Sequence, residues 1–360
     1  MIITKIDKYI IKKFLGTFIF IFILLMMISM VFDLSDKLSS FIEKGASWFE
    51  IFTVYYSNFI LFFGFQFIFM INFISVIWFT SKMAQNSEII PILGSGVSFN
   101  RFLRPYFISA TILVVITLIM YNFVLPPSNK MRLDFEERFY RNSFNPTSGK
   151  VQFENGQNVL YGKYSSKDNS VNNLIIEQWD GYDLIYKLKA NKAQGDSLSK
   201  MWHLQEVSIR YFGEKNDQLT LIPIIDTILP FKVTDLIFRE NIVEAMNYAE
   251  LNKFIKSEEQ KKSKLVPKYL LDKYNRMAAP FAIYILTFIG VLVSSRKSRS
   301  GTGGKLALGI LLCVLYIFAM KMTTVAALNV GFPPLIATWI PNIIFLAISL
   351  LLYRNILKQL

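Results

Sequence analysis

The sequence predicts an α-helical membrane protein with six transmembrane helices and an all-β, jelly-roll-like domain inserted between helices 3 and 4. Three long uncharged apolar stretches come first, then a polar block patterned as strands, then three more apolar stretches. The 360 residues are 53% hydrophobic with a mean hydropathy of +0.38, beyond what a globular domain of this size carries. Lysine and arginine gather in alternate connections, as they do on the cytoplasmic side of a multi-pass chain. Such a layout restricts function to moving, anchoring or sensing something at a bilayer.

Taken in order, residues 2–11 place Ile2, Ile3, Ile6 and Ile10 at helical spacing with Lys5, Lys8 and Lys12 between them. That pattern suits a short amphipathic helix lying in the cytoplasmic interface, or a basic extension of the first span. Span one covers 14–34, and Asp33, Asp36, Lys37, Glu43 and Lys44 then form a short polar connection outside. No charged residue occurs between Glu50 and Lys82, between Arg104 and Lys130, or between Arg276 and Arg296. Each gap reaches the roughly 18 to 20 residues that cross the hydrocarbon core, which places spans at 52–80, 104–125 and 277–295. After Lys305 the only charge before Arg354 is Lys321, and the turn from Asn329 to Pro334 divides that stretch into spans 306–327 and 335–353.

If six spans alternate, one side receives Lys5, Lys8, Lys12 and Lys13; Lys82, Arg101 and Arg104; Arg296, Lys297, Arg299 and Lys305; and Arg354 and Lys358. That side is predicted to be the cytoplasm, with both termini inside and the inserted block outside. Between Lys130 and Arg276 there are 23 basic and 20 acidic residues, so the block holds only +3 of the net +13. The surplus reports membrane topology and excludes a nucleic-acid footprint. The first span lacks a small-residue cleavage signature and is predicted to be retained. Cys313 is the only cysteine, so no intrachain disulfide forms. The chain therefore divides into 1–125 with spans one to three, 126–272 as the β domain, and 273–360 with spans four to six.

Within the block, Leu184, Tyr186, Leu188 and Ala190 alternate with Ile185, Lys187, Lys189 and Asn191, the period of a half-buried strand. Similar runs occur at 159–164, 174–179, 202–212 and 219–225, and the apolar phase shifts at Gln205-Glu206, which predicts a bulge. Turn clusters such as Asp180-Gly181 separate the runs, arguing for an antiparallel sandwich or an open jelly roll. Asn247, with Glu250 three residues on, reads as the capped start of a return helix over about 248–260.

The run Ser300-Gly301-Thr302-Gly303-Gly304-Lys305 departs from a phosphate loop, having Arg299 where Gly is needed and Leu306 where Ser or Thr is needed. His203 is the only histidine; it sits in a strand pattern and reads as structural, so neither a metal site nor a catalytic triad is predicted. The chain is read as a non-catalytic subunit with no cofactor of its own. The second cytoplasmic connection, about 86–96, is a short helix-like element with Ser87 as its cap and Glu88 in its first turn. An acidic residue beside Ile89, Ile90, Ile92 and Leu93, in an otherwise basic loop, suits either a docking helix for a soluble partner or an interfacial loop with a dipole-stabilising Glu. Lys321 lies 16 residues after Lys305, in the outer half of span five. An intramembrane cation is a functional-site candidate, with snorkelling to the outer headgroups as the alternative, and Lys37 and Arg276 near the outer mouth share that standing.

Several pieces in fixed order then carry a resemblance. They are Asp7-Lys8-Tyr9-Ile10 with Phe14 before span one, Ser87-Glu88-Ile89 with Gly96, and Arg276, Pro280 and Gly290 around span four. The basic hairpin from Arg296 to Lys305 follows, then Pro333-Pro334 and Trp339-Ile340-Pro341-Asn342 in span six. Over nearly all its length the chain resembles the lipopolysaccharide-export permeases of the LptF/LptG family. The resemblance implies one half of the membrane part of an ATP-binding-cassette exporter in the bacterial inner membrane, with the β domain in the periplasm. Its partners would be a paralogous permease subunit in a heterodimer, a cytoplasmic ABC ATPase dimer using ATP and Mg, and a periplasmic bridge protein with a membrane anchor. Spans one and five of the two permeases would enclose a cavity for lipopolysaccharide, and the jelly-roll interior, with Leu184, Tyr186 and Leu188, would receive acyl chains. Ser87, Glu88, Ile89 and Ile92 would form the ATPase-coupling element, and Trp339, Pro341 and Asn342 the span-six motif. Lys37 is a carry-over crowded by Asp33 and Asp36. The rival reading is a non-transporting membrane scaffold or mechanotransmitting signal subunit with an extracytoplasmic sensor domain; an ion-coupled carrier is disfavoured because the spans lack paired carboxylates.

Overall fold

A computed structural model of the chain describes residues 4–140, 149–152, 157–162, 164–165, 168–195, 201–213, 216–231, 242–260, 263, 265–296 and 301–357. It divides into two compact units, one of Met1–Leu38, Trp48–Arg132 and Pro267–Leu360, the other of Ser39–Ser47 and Leu133–Val266.

Among the described residues, six helices are long and apolar enough to cross a membrane. The first, α1, runs unbroken over Lys5–Glu43. It is continuous through residues 5–11, for which the sequence leaves open a separate amphipathic helix or a basic extension of span one, and it corrects the polar connection expected after Asp33, which is helical to Glu43. The cause is local: no Gly or Pro lies between Gly16 and Gly45, and Asp33 and Lys37 pair one turn apart at 2.7 Å. Thr4 and Asp7 begin the helix reciprocally, the Thr4 amide donating to Asp7 Oδ2 at 2.9 Å and the Asp7 amide to Thr4 Oγ1 at 3.4 Å. Gly45, at φ +75°, follows its end.

The second span is built in pieces: the short turn α2 (Trp48–Glu50), a π-helical turn at Ile51–Tyr56, α3 (Ser57–Gln66) and α4 (Ile68–Gln85). The short helix α5 that follows covers only Ile89–Gly94. Then come α6 (Phe99–Ile119), a second π-helical turn at Met120–Val124, and α7 (Leu125–Phe139), whose Pro126 and Pro127 fall in its first turn. The last three spans are α9 (Val266–Ser294), α10 (Gly301–Asn329) and α11 (Pro334–Leu357).

In the membrane unit α4 and α9 are the enclosed spans, with 72% and 67% of their apolar windows buried. They approach so closely that a Cβ on Gly290 would stand 2.9 Å from Val76 Cγ1 and 3.2 Å from the Phe73 ring. Asn72 Nδ2 donates to Thr287 Oγ1 at 2.9 Å between the same two helices, a polar tie of the kind that joins spans in hydrocarbon. Phe14, Phe79 and Tyr106 stack where α1, α4 and α6 meet, with Phe14–Phe79 and Phe79–Tyr106 centroids 5.5 and 5.3 Å apart.

The second unit is a jelly-roll-like antiparallel sheet in the order β1-β2-β4-β5-β6-β7, with β3 pairing β4. The strands are β1 (Gly149–Gln152), β2 (Gln157–Tyr161), β3 (Tyr164–Ser165), β4 (Ser170–Asp180), β5 (Asp183–Gly195), β6 (Met201–Tyr211) and β7 (Gln218–Ile228). One face is buried by Val159, Leu174, Ile176, Leu188, Trp202 and Leu204 among others, and Trp202 Nε1 donates to the Phe231 carbonyl at 3.0 Å. The predicted phase shift at Gln205-Glu206 is present, but it is no one-residue bulge. Pairing keeps one register on both sides of Glu206, with Gln205 opposite Lys192 and Ile224, and Val207 opposite Ala190 and Ile222. Instead Asn173, Asn191, Glu206 and Pro223 form one row that crosses four strands outside the paired ladder, with left-handed backbone at Asn173 (φ 51°) and Glu206 (φ 53°). The buried positions switch phase together at that row, from Val171 to Leu174, Ala193 to Ala190 and Leu204 to Val207. The following helix α8 (Tyr248–Gln260) begins with a closed capping box, since the Glu250 amide donates to Asn247 Oδ1 and the Asn247 amide to Glu250 Oε2, both at 2.9 Å.

Candidate functional site

The connection between spans two and three begins where α4 ends, and the ending differs from the sequence expectation. Ser87 does not cap α5. It adopts φ +59° just beyond α4, its amide donates to the Ala84 carbonyl at 3.1 Å, and the Glu88 amide reaches the Met83 carbonyl at 2.9 Å. That is the Schellman pattern, with Ser where Gly is usual. Glu88 then occupies the N-cap position of α5 without a side-chain cap bond, because its carboxylate is engaged elsewhere.

Glu88 Oε2 accepts from Tyr9 Oη at 2.8 Å, and both of its oxygens accept from Lys13 Nζ at 3.1 Å. Asn86 Nδ2 adds a bond to Oε1 at 3.1 Å, and Lys13 also donates to the Tyr9 hydroxyl. Partial burial by itself would raise the Glu88 pKa, but the hydrogen bonds from Asn86, Tyr9 and Lys13 outweigh it and hold the carboxyl below its ordinary value. At the far end of the connection Arg101 grips Asp7 with Nη1 on Oδ1 at 2.9 Å and Nη2 on Oδ2 at 2.5 Å. Arg101 sits in the first turn of α6, where its amide bonds the Ser98 hydroxyl. Within α5, Ile89 is buried and Ile92 half-buried, while Ile90 is 63% exposed.

Toward the C-terminal end of α1, Lys37 is already occupied. Its ammonium lies 2.7 Å from Asp33 Oδ1 and 2.6 Å from Tyr55 Oη, and Tyr55 in turn donates to Asp33 Oδ2 at 2.9 Å. The π-helical turn at Ile51–Tyr56 carries Tyr55. Arg276 is buried in α9, whereas Lys321 is exposed on α10. Arg132 carries no mark in the sequence, yet its buried guanidinium bonds Asn129 Oδ1 at 2.7 and 3.0 Å and stacks 4.9 and 5.2 Å from the Phe62 and Phe63 rings. Tyr9, Lys13 and Arg101 are not marked as partners either, apart from the i,i+4 spacing of Tyr9 and Lys13.

The span-six motif holds helices together. Asn342 accepts from Tyr316 Oη of α10 at 2.8 Å and donates to the Ala278 carbonyl of α9 at 2.9 Å. Trp339 packs on Phe281 at 5.4 Å, and Pro341 is buried inside α11. In the sheet, Leu188 is buried in the apolar face and Leu184 and Tyr186 are half-buried, Tyr186 lying 5.0 Å from Tyr211. His203 pairs with Asp226 across β6 and β7 at 2.5 Å on an exposed position.

Six apolar spans around an inserted antiparallel sheet, with a tethered acidic element between spans two and three, agree with what comparison of the sequence returns. Residues 8–355 match the lipopolysaccharide export system permease LptF/LptG family. The chain belongs to the LptF/LptG permease family. No curated protein matches the chain. As an LptF/LptG permease it is a multi-pass membrane protein of lipopolysaccharide export, a transport component and not a catalyst.

Proposed function

We propose that this LptF/LptG permease is the transmembrane subunit of an ATP-driven exporter that extracts lipopolysaccharide from the inner membrane and passes it through a periplasmic jelly roll toward the outer membrane. It would pair with a paralogous permease and take its power from a cytoplasmic ABC ATPase dimer, which binds the ATP and Mg. The observation that carries this reading is the uneven enclosure of the spans. Only 22% of the apolar window of α1 and 17% of that of α10 is buried, the lowest of the six. These are the first and fifth spans, the pair that family resemblance sets around a lipid cavity. Their open faces, with Phe20, Met27 and Phe32 on α1 and Val314, Phe318 and Val325 on α10, are apolar and supply the continuous surface that acyl chains need.

An anionic headgroup needs cations at the outer mouth. Lys321, on the same exposed stripe of α10 as Phe318 and Val325, is our candidate for that contact. Lys37 would serve only if its bonds to Asp33 and Tyr55 opened, and Arg276 only from a buried position. Leu184, Tyr186 and Leu188 would receive acyl chains in the sheet. The bridge protein would meet β7, one of the two edge strands among the described residues, which exposes Leu219, Leu221, Ile224 and Ile228. The ATPases would close on ATP and drive the Ser87–Ile92 elements of the two permeases together, narrowing the cavity.

The test is to purify the chain from membranes, ask whether an ABC ATPase and a second permease come with it, and measure ATP-dependent release of lipopolysaccharide from proteoliposomes. A photo-crosslinker at Tyr186 should capture lipid during turnover. A chain that copurifies with no ATPase and crosslinks no lipid would instead be the scaffold or signal subunit.

A further inference from the structure

We propose that the stretch of span two before Phe67 and the stretch of span three after Val124 form one hinged arm, clasped to α1 through Tyr55, and that the permease opens and closes this arm as it moves lipid. The inference rests on the exporter reading, in which α1 lines the lipid cavity. Span two breaks at Phe67, whose φ of −103° and ψ of 13° end α3 before α4 begins. Span three widens at Met120–Val124, where the Leu125 amide reaches back five residues to the Met120 carbonyl. The cause lies in the sequence: Pro126 and Pro127 have no amide to give, and in a regular helix the Pro126 ring would press on the Asn122 carbonyl. Irregular turns of this kind are where helices bend. The two breaks lie side by side, because Tyr121, inside the widened turn, donates from Oη to the Phe65 carbonyl at 3.2 Å. Beyond them the two stretches are fastened to each other. Ser128 Oγ donates to the Asn58 carbonyl at 3.5 Å, and the Arg132 guanidinium covers the Phe62 and Phe63 rings, so α3 and the first half of α7 move as one body. On the other side of the breaks α4 is enclosed against α9, which makes it the fixed part. The arm meets α1 at two places. Near the hinge, Phe22 faces the Phe65 ring at 6.3 Å and lies over Gly64, where a Cβ would collide with it. At the far end, Tyr55 Oη accepts from Lys37 at 2.6 Å and donates to Asp33 Oδ2 at 2.9 Å. Apolar packing near the hinge yields gradually, whereas the two bonds of Tyr55 are either made or broken, so Tyr55 is the clasp. Opening the arm uncovers the side of α1 that α3 now buries, with Phe22 and Met26, and adds it to the apolar surface that acyl chains can use.

The arm is tested in the full complex of both permeases and the ATPase in proteoliposomes, with Cys313→Ala as background and a thiol crosslinker that a reducing agent cleaves. Joining Asp33→Cys to Tyr55→Cys locks the arm onto α1. This link is expected to slow lipopolysaccharide release about tenfold, and cleaving it should restore the rate of the same protein before crosslinking. Joining Asn58→Cys to Ser128→Cys, within the arm, should leave release within about twofold of that protein uncrosslinked. Release that ignores the link between Asp33→Cys and Tyr55→Cys overturns the proposal, and so does an equal loss from the link within the arm. If the Asp33 and Tyr55 replacements fail to accumulate, Pro126→Ala with Pro127→Ala supplies the test. The restored amides straighten span three, so release should fall several-fold while the thermal unfolding temperature holds or rises; release at the parental rate overturns the hinge. Failure of the exporter reading looks different, because the unaltered complex would then hydrolyse ATP without releasing lipid.

Discussion

At Asn342 one amide joins three spans, taking a bond from Tyr316 on α10 and giving one to the Ala278 carbonyl on α9. Replacing it by Ala leaves the buried Tyr316 hydroxyl without this acceptor, and interhelical bonds of this kind in membranes contribute about 0.6 to 2 kcal/mol. Asn342→Ala should lower the thermal unfolding temperature in detergent while the permease still inserts; an unchanged transition would show that the bonds contribute nothing. Sequence could flag Asn342, because an amide in a span is unusual, but not its partners 26 and 64 residues away. Glu88 was equally visible as an acid in a basic loop. Its cage was not, since Tyr9 and Lys13 lie 79 and 75 residues upstream and carry no mark of the pairing. The Ser87 cap was misread for a related reason. A Ser followed by an acid and apolar residues fits a helix start, and only the backbone shows it closing the helix before.

Among the elements, α8 was read well because its signal is short-range: Asn247 and Glu250 lie three residues apart and exchange two bonds. Asn247→Ala should cost about 1 kcal/mol and speed amide exchange in the first turn of α8, with the sheet unaffected. The α4–α9 contact is the opposite case. Gly290 is one of several glycines in the spans, and only the packing shows that a methyl group there would press on Val76 and Phe73. Gly290→Ala should destabilise the membrane unit by about 1 to 3 kcal/mol, measured by thermal unfolding in detergent; full retention of stability would mean that Val76 moves aside freely. The length of α1 was missed because charged residues after Asp33 were read as a connection. Asp33 and Lys37 instead satisfy each other along the helix, and no glycine or proline lies between Gly16 and Gly45. In the sheet, alternation revealed the strands and the slip in phase at Glu206, but a single strand cannot show that its neighbours slip at the same row.

For the whole molecule, the decisive contrast is between three cations held in ion pairs and Lys321, which is exposed within a span. Lys13, Lys37 and Arg101 are paired with Glu88, Asp33 and Asp7, whereas Lys321 stands on the open stripe of α10. Lys321→Ala should therefore reduce lipopolysaccharide-stimulated ATP hydrolysis by the reconstituted complex several-fold, as loss of a charge-assisted contact does, without changing the unfolding temperature. Unchanged stimulation would assign Lys321 to the outer headgroups. Hydrophobic length, alternation and charge placement are properties of neighbouring residues, so the six spans, the inserted β unit, the distribution of basic residues and the family were all legible along the chain. Packing across the chain sets which spans are enclosed and which keep an open face, which charges neutralise one another, and that the connection carrying Glu88 is tied to α1. A span apolar all round does not announce which side meets protein, and ion pairs between residues 75 or 94 positions apart arise only when folding brings them together.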